Sequence, residues 1–397
     1  MPIRPLIGRR VGRSATACVV LLAACTASTP PPAPSPVGTW APIAEGPAAR
    51  VGHVATWTGS QMLVWGGQEV EGVGYRGDGA AYDLSAGTWD PIPEAPLRPR
   101  GRAVGVWTGT ELLVWGGEVE GEDIKARSFA DGAAFSPASG RWRALSPSPL
   151  GPRGLSVAVW TGSRTVIWGG QNLGAKPPAP TATPAGEEEG GNLQNEGASY
   201  DPAADSWTRI ARSPLRGRAR PRAVWTGHEV LVWGGGSTIE DEVAFVDGAA
   251  YDPAQDTWRS IGAAPIRAGG RQEAVWTGRQ MLVWGGSGDA AAYDPASDRW
   301  TPLPKAPLPP LPTPVVVWTG RFMLVWGIPE SQAQAERPVG VGAAFDPVRR
   351  RWLPLNAAGG PAGQGQTGVW TGAAMIVWGG LGGGGVPTAG GSFSLGG

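Results

Sequence analysis

Arginines and carboxylates recur at fixed places in this chain, and they are the residues best able to do chemistry. Arg50, Arg100, Arg153 and Arg218 each stand seven residues before a Trp-Thr-Gly string. Asp78, Asp131, Glu196, Asp247 and Asp289 each stand four residues before a recurring Tyr or Phe. More arginines gather near the first set: Arg98, Arg102, Arg216, Arg220, Arg222, Arg267 and Arg271. Two uses fit this pattern. Each Arg can pair with an acid or with backbone carbonyls as a lattice between repeats, or the guanidinium groups can together form an anion-binding mouth. The lattice is the leading expectation, because Arg outnumbers Lys 30 to 3 throughout and abundance alone says little.

Catalytic sets are thin. His53 and His228 are the two histidines, and their places in the repeat put them at opposite ends of it. His53 is expected to be buried or channel-lining, and His228 to be exposed. No Gly-x-Ser-x-Gly elbow occurs, and no nucleophile, base and acid can be assembled from two distant histidines. The Gly-rich stretch 379–385 follows a strand but opens no helix, which excludes a phosphate cradle. The acidic run Glu187-Glu188-Glu189 reads as a solvated loop tip. No catalytic residue, metal site or cofactor is therefore expected.

The elements that position these residues follow from composition. Of 397 residues, 64 are Gly and 40 are Pro, a density that breaks helices. Yet 21 Trp and 41% hydrophobic residues supply the surface that disordered chains lack. Short strands and many turns remain. Lys+Arg and Asp+Glu are both 33, so no global field points to nucleic acid. Two Cys and two His leave no material for zinc clusters or a disulfide framework.

The first 40 residues carry an address. Arg4, Arg9, Arg10 and Arg13 precede an apolar run from Ala15 to Ala24, which is too short to span a bilayer. It ends Leu22-Ala23-Ala24-Cys25, which resembles the bacterial lipoprotein signal. That resemblance implies diacylglycerol on the Cys25 thiol, cleavage before it, and an extracytoplasmic chain anchored to the cell membrane. Removal of 1–24 takes away four Arg and no acid, moving the formal charge from 0 to −4. Residues 25–37 then form a lipidated Cys and a Pro-rich stalk.

Internal periodicity decides the rest. Trp-Thr-Gly begins at Trp57, Trp107, Trp160, Trp225, Trp276, Trp318 and Trp370. A second Trp follows each by eight residues, at Trp65, Trp115, Trp168, Trp233, Trp284, Trp326 and Trp378. A third set, Trp40, Trp89, Trp142, Trp207, Trp258, Trp300 and Trp352, precedes each by 17 or 18. Every tryptophan is thus a repeat position. Tyr82, Phe135, Tyr200, Tyr251, Tyr293 and Phe345 form a fourth marker, seven residues before a third-set Trp. Each repeat reads as four short strands joined by tight turns, with Thr-Gly between the first two and Asp-Pro between the last two.

An apolar run ending in Gly-Gly, then Tyr-Asp-Pro, then Trp six residues after the Asp closely resembles the kelch repeat. Arg50, Arg100 and Arg153 match the Arg opening its first strand. The resemblance covers residues 38–397 and implies an all-β, seven-bladed propeller of four-stranded antiparallel blades. Blade six departs from it with Trp326-Gly327-Ile328, and blades five to seven lack the opening Arg. The last repeat has no Trp strand, whereas a spare one stands at the front around Trp40. That strand is expected to close the ring, leaving no open edge and a monomer.

All length variation falls between the second and third strands, in loops 68–77, 118–130, 171–195, 236–246 and 328–341. Loops held by a rigid scaffold are where binding usually resides. The leading expectation is a non-enzymatic, surface-anchored binding module that recognises a protein or a carbohydrate through this face. Galactose oxidase is also a kelch-type propeller, but its copper site needs a Cys–Tyr crosslink and two His, and with Cys25 lipidated the mature chain is expected to offer no free Cys for that chemistry. Sialic-acid mutarotases are kelch propellers too and would need only Arg and Glu at the channel mouth. A carbohydrate-active enzyme of mutarotase or epimerase type is therefore the alternative, and a structural envelope component the third.

Overall fold

In the computed structural model the described residues are 1, 35–69, 74–121, 124–174, 192–237, 244–267, 271–382 and 388–396. The leader, Cys25 and most of the stalk lie outside them, as do residues 187–189 and Gly269. Residues 35–397 form one compact unit.

That unit is all-β among the described residues, apart from a 3-10 turn at Glu330–Gln332. Seven four-stranded antiparallel sheets follow one another as blades. Their innermost strands are Val54–Trp57, Val104–Trp107, Val157–Trp160, Arg222–Trp225, Glu273–Trp276, Val315–Trp318 and Thr367–Trp370. Each touches the next, and the seventh touches the first, so the ring is closed. Small residues let these strands converge: a Cβ on Gly105 would collide with Val54 of the neighbouring blade.

The second strands explain the unbroken apolar runs. In Gln61–Trp65, Met62 and Val64 pack against blade seven, while Leu63 and Trp65 pack against blade two. A strand buried on both faces has no polar side to alternate. The Thr of each Trp-Thr-Gly closes the next turn, as Thr58 Oγ1 accepts from Gln61 N at 3.0 Å. Gly66 has a positive φ of 67°, and a Cβ there would stand 2.8 Å from the Arg100 carbonyl of blade two.

Tryptophan fastens blade to blade. Each outer-strand Trp packs on the second-strand Trp of the preceding blade, as Trp89 does on Trp378 at 5.2 Å and Trp258 on Trp168 at 6.1 Å. In blades one to six its indole N–H reaches back as well: Trp142 donates to Pro93 O at 2.8 Å and Trp352 to Pro304 O at 2.8 Å. Phe or Tyr could fill the space but could not make this bond.

The N-terminal strand Thr39–Pro42 pairs with Gly391–Ser394, placing Trp40 opposite Phe393. Blade seven is thereby assembled from both chain ends. One boundary differs from expectation. Val37, assigned by sequence to the stalk, donates to Pro354 O at 2.9 Å and accepts from Asn356 N at 3.0 Å, so it belongs to the propeller.

Candidate functional site: an arginine-lined channel mouth

The loops between second and third strands emerge on the same face as the links between blades. Two short pairings stiffen this face: Arg50–Val51 with Gln68–Glu69, and the extra hairpin Glu118–Gly121 with Ile124–Ser128.

Four of the sequence-predicted arginines are buried here and paired. Arg50 contacts Asp78 at 2.8 and 3.1 Å, and Arg218 contacts Asp247 at the same distances. Arg100 grips Asp131 at 2.6 and 3.1 Å, and Arg153 reaches Glu196 at 2.8 Å. Each guanidinium also donates to the carbonyl of the Gly that ends its own second strand, as Arg218 does to Gly234 O at 3.0 Å. Arg100 and Arg218 lie over the rings of Phe129 and Phe245. Burial pushes the Asp78, Asp131 and Glu196 carboxyls up. Hydrogen bonds and charge from the arginines outweigh it and hold all three below the usual carboxylate range.

These pairs close within one blade, not between blades as the lattice reading expected. Both partners enter strands of the same sheet, so the side chain spans from first strand to third. Backbone crosses the boundary instead: Gly67 N donates to Arg100 O at 2.8 Å, and Gly380 N donates to Arg50 O at 3.0 Å. The Asp289 carboxylate accepts only a 3.5 Å contact from Ser287 among the described residues, while its backbone carbonyl accepts from Gly285 N at 2.9 Å. A true interblade side-chain lattice sits at the opposite rim, where sequence reasoning missed it. Arg143 binds Glu111 at 3.0 and 2.7 Å and the Tyr200 hydroxyl of the next blade at 2.8 Å. Arg259 repeats this with Glu229 and Tyr293. His228 is exposed on that rim.

The arginines that reach the axis belong to the further group. Arg102, Arg220, Arg222 and Arg271 line a cavity of about 230 Å³ at the channel mouth, with Tyr75, Gln68 and His53 beside them. No Asp or Glu is among the described residues lining it. Backbone geometry puts them there. Arg102, Leu155 and Arg220 hold positive φ of 54°, 54° and 53°, and Gly52 occupies the same place in blade one with 63°. Each hands its carbonyl to the next blade: Arg102 N to Gly52 O at 2.7 Å, Leu155 N to Arg102 O at 3.1 Å, and Arg220 N to Leu155 O at 2.8 Å. Three L-residues in the left-handed region around one opening are the kind of strain that clusters at working sites.

The titratable lining groups are tuned away from neutrality. His53 is buried, with Nε2 2.6 Å from Thr367 Oγ1 across the blade seven boundary. Burial, reinforced by the Arg50 charge, takes its imidazole down to about 3. Burial also pushes the Tyr75 phenol up, while that hydroxyl donates to Glu120 O at 3.0 Å. Below the mouth a second cavity of about 320 Å³ continues along the axis, lined by His53, Glu273 and Thr367. Among the described residues no group of His, Cys, Asp and Glu could hold a metal ion.

No protein-family model and no curated protein matches the chain. Among solved structures it is similar to one titled "Structure of YjhT". The overlay has a TM-score of 0.56 and covers 88% of this chain and 95% of that one, at 13% identity. At that identity the likeness speaks for the fold alone. With seven four-stranded blades, closure by the N-terminal strand and this overlay, the chain is a seven-bladed β-propeller.

Proposed function

We propose that this propeller is a lipid-anchored, extracytoplasmic binding module whose channel mouth takes an acidic glycan, through the carboxylate of one sugar. The observation that carries the reading is the convergence of Arg102, Arg220, Arg222 and Arg271 on one cavity, with no Asp or Glu among its described lining residues. Arginine is the side chain suited to planar, bidentate recognition of carboxylate. A cavity of about 230 Å³ suits one sugar ring rather than a folded partner. The loop face supports a glycan over a protein partner as well: Tyr75, Phe129 and Phe245 are all half-buried, so it offers no exposed aromatic anchor among the described residues.

The anchoring half of the proposal rests on Leu22-Ala23-Ala24-Cys25 and the basic residues before it. A mutarotase or epimerase would need a lining group that exchanges a proton near neutrality. Burial holds His53 far below that range and pushes the Tyr75 phenol further above it, and no Asp or Glu is among the described residues lining the mouth, which favours binding over turnover. A glycan array probed with the full chain tests the reading. Acidic glycans should be retained, neutral ones not, and the Arg220→Ala/Arg271→Ala double variant should lose them. Retention of neutral glycans, or of acidic ones by the double variant, would refute it.

A further inference from the structure

We infer that Glu118 and Glu273 are positioning residues that aim Arg102 and Arg222 into the channel mouth, so that the mouth reads the shape of an anion and not its charge alone. This inference rests on the acidic-ligand reading above. Glu118 is fully buried, and its carboxylate meets the mouth through Arg102, whose Nη1 lies 2.9 Å from Oε1. Its carboxylate is held in turn by Gln171 Nε2 of blade three, at 3.4 and 3.2 Å from the two oxygens. Its backbone exchanges hydrogen bonds with Gly101 at 2.9 and 3.0 Å. Gly154 is pressed so close that a Cβ would stand 2.5 Å from Oε2. Nothing in that arrangement leaves the carboxylate free to move.

Glu273 does the same for Arg222 from the next blade. It accepts from Arg222 Nε at 2.8 Å and Nη2 at 2.7 Å, a two-point contact that fixes the guanidinium plane. The two side chains stand on opposite sides of a boundary, with Arg222 lining the mouth and Glu273 lining the cavity beneath. A guanidinium carries five N–H groups; Glu273 takes one on Nε and one on Nη2, and Nη1 donates to Arg220 O and Pro221 O at 3.3 and 3.4 Å, so the second N–H of Nη2 remains for a ligand. Ligand-contacting groups held by such outer partners lose affinity when the partner goes, even though the contact residue is intact.

The two possible roles of these carboxylates predict opposite signs. A carboxylate that only neutralises Arg weakens anion binding, so its removal tightens the mouth. A carboxylate that aims Arg strengthens binding, so its removal loosens the mouth despite one added positive charge. The test measures dissociation constants for a panel of uronates, with sulfate as a shapeless anion, on the full chain and on Glu118→Gln and Glu273→Gln. The expected result is about tenfold weaker uronate binding in each variant, with sulfate unweakened. Glu273→Asp, which keeps the charge but draws it back, should weaken uronate as well. Glu273 is partly exposed, so its variants carry the test if Glu118→Gln fails to fold. Uronate binding that tightens or holds in Glu273→Gln overturns the positioning role alone. Absence of uronate binding by the unaltered chain overturns it together with the acidic-ligand reading.

Discussion

Trp40 and Trp326 stack with ring centroids 4.5 Å apart, and Trp40 also lies 5.1 Å from Phe393. This cluster joins the N-terminal strand to blade seven, which it completes, and to the neighbouring blade six. Unlike the outer-strand tryptophans of the other six blades, Trp40 has no partner for its indole N–H among the described residues, so the seam relies on ring contact. Deleting residues 38–43 should therefore cost at least about 3–5 kcal/mol, the range for losing a large buried aromatic. Melting temperatures of the deletion variant and of Trp40→Ala check this; an unchanged value would mean the seam contributes nothing.

The buried arginines should behave as framework. Arg100→Ala should destabilise the fold by about 2–4 kcal/mol. It removes several hydrogen bonds and leaves Asp131, which is half-exposed and can be hydrated in part. Arg222→Ala, in the mouth and paired with the partly exposed Glu273, should cost stability less and uronate affinity more. Chemical denaturation and binding measured on both variants would show the division. Equal effects of the two on stability would count against it.

Acid should weaken the seam between blades seven and one through His53. Its folded value of about 3 lies below the 6.5 of a free imidazole, so the unfolded chain takes up the proton first as pH falls. His53 therefore costs no stability above pH ~6.5, and stability is lost progressively from there down to about 3. Between pH 7 and 4.5 the loss should reach about 2–3 kcal/mol. Asp78, Asp131 and Glu196 act with the same sign in a lower window: their contribution is present above the ordinary carboxylate range and is lost as pH falls below it. His53→Gln should flatten the first window and leave the second. Parallel pH profiles for the variant and the unaltered chain would remove His53 from the account.

Anchoring should depend on one thiol. Cys25→Ser should release the chain from the membrane fraction, since no described helix is long and apolar enough to cross a bilayer. Fractionation after a high-salt wash decides this, and a variant that stays with the membrane would contradict the lipoprotein reading.

The ring was legible because its signals are local and repeated. Trp at fixed spacing, Thr-Gly and Asp-Pro turns and a spare strand at Trp40 each report a short-range constraint that seven copies restate. The partners of Arg50, Arg100, Arg153 and Arg218 were legible for the same reason, although their pairing within blades needed the backbone path. The mouth was harder to read. Arg102, Arg220 and Arg271 share one offset, five residues before Trp-Thr-Gly, but the left-handed turn that sends Arg102 and Arg220 to the axis is a property of the fold. A signal was nonetheless present: opposite charges at one offset in consecutive repeats become neighbours. Arg222 and Glu273 both stand three residues before Trp-Thr-Gly and meet across blades four and five. Glu118 and Gln171 both stand three after the second-set Trp and meet across blades two and three.

The most direct test of the acidic-ligand claim is calorimetric titration of glucuronate and glucose against the full chain, at low and at high salt. The two sugars differ at one carboxylate. The account predicts binding of glucuronate, no measurable binding of glucose, and an affinity that falls as salt screens the partly exposed guanidinium groups. Loss of glucuronate binding in Arg222→Ala, with the melting temperature kept, would complete it. Equal affinity for the two sugars, or glucuronate binding indifferent to both salt and Arg222, would contradict it.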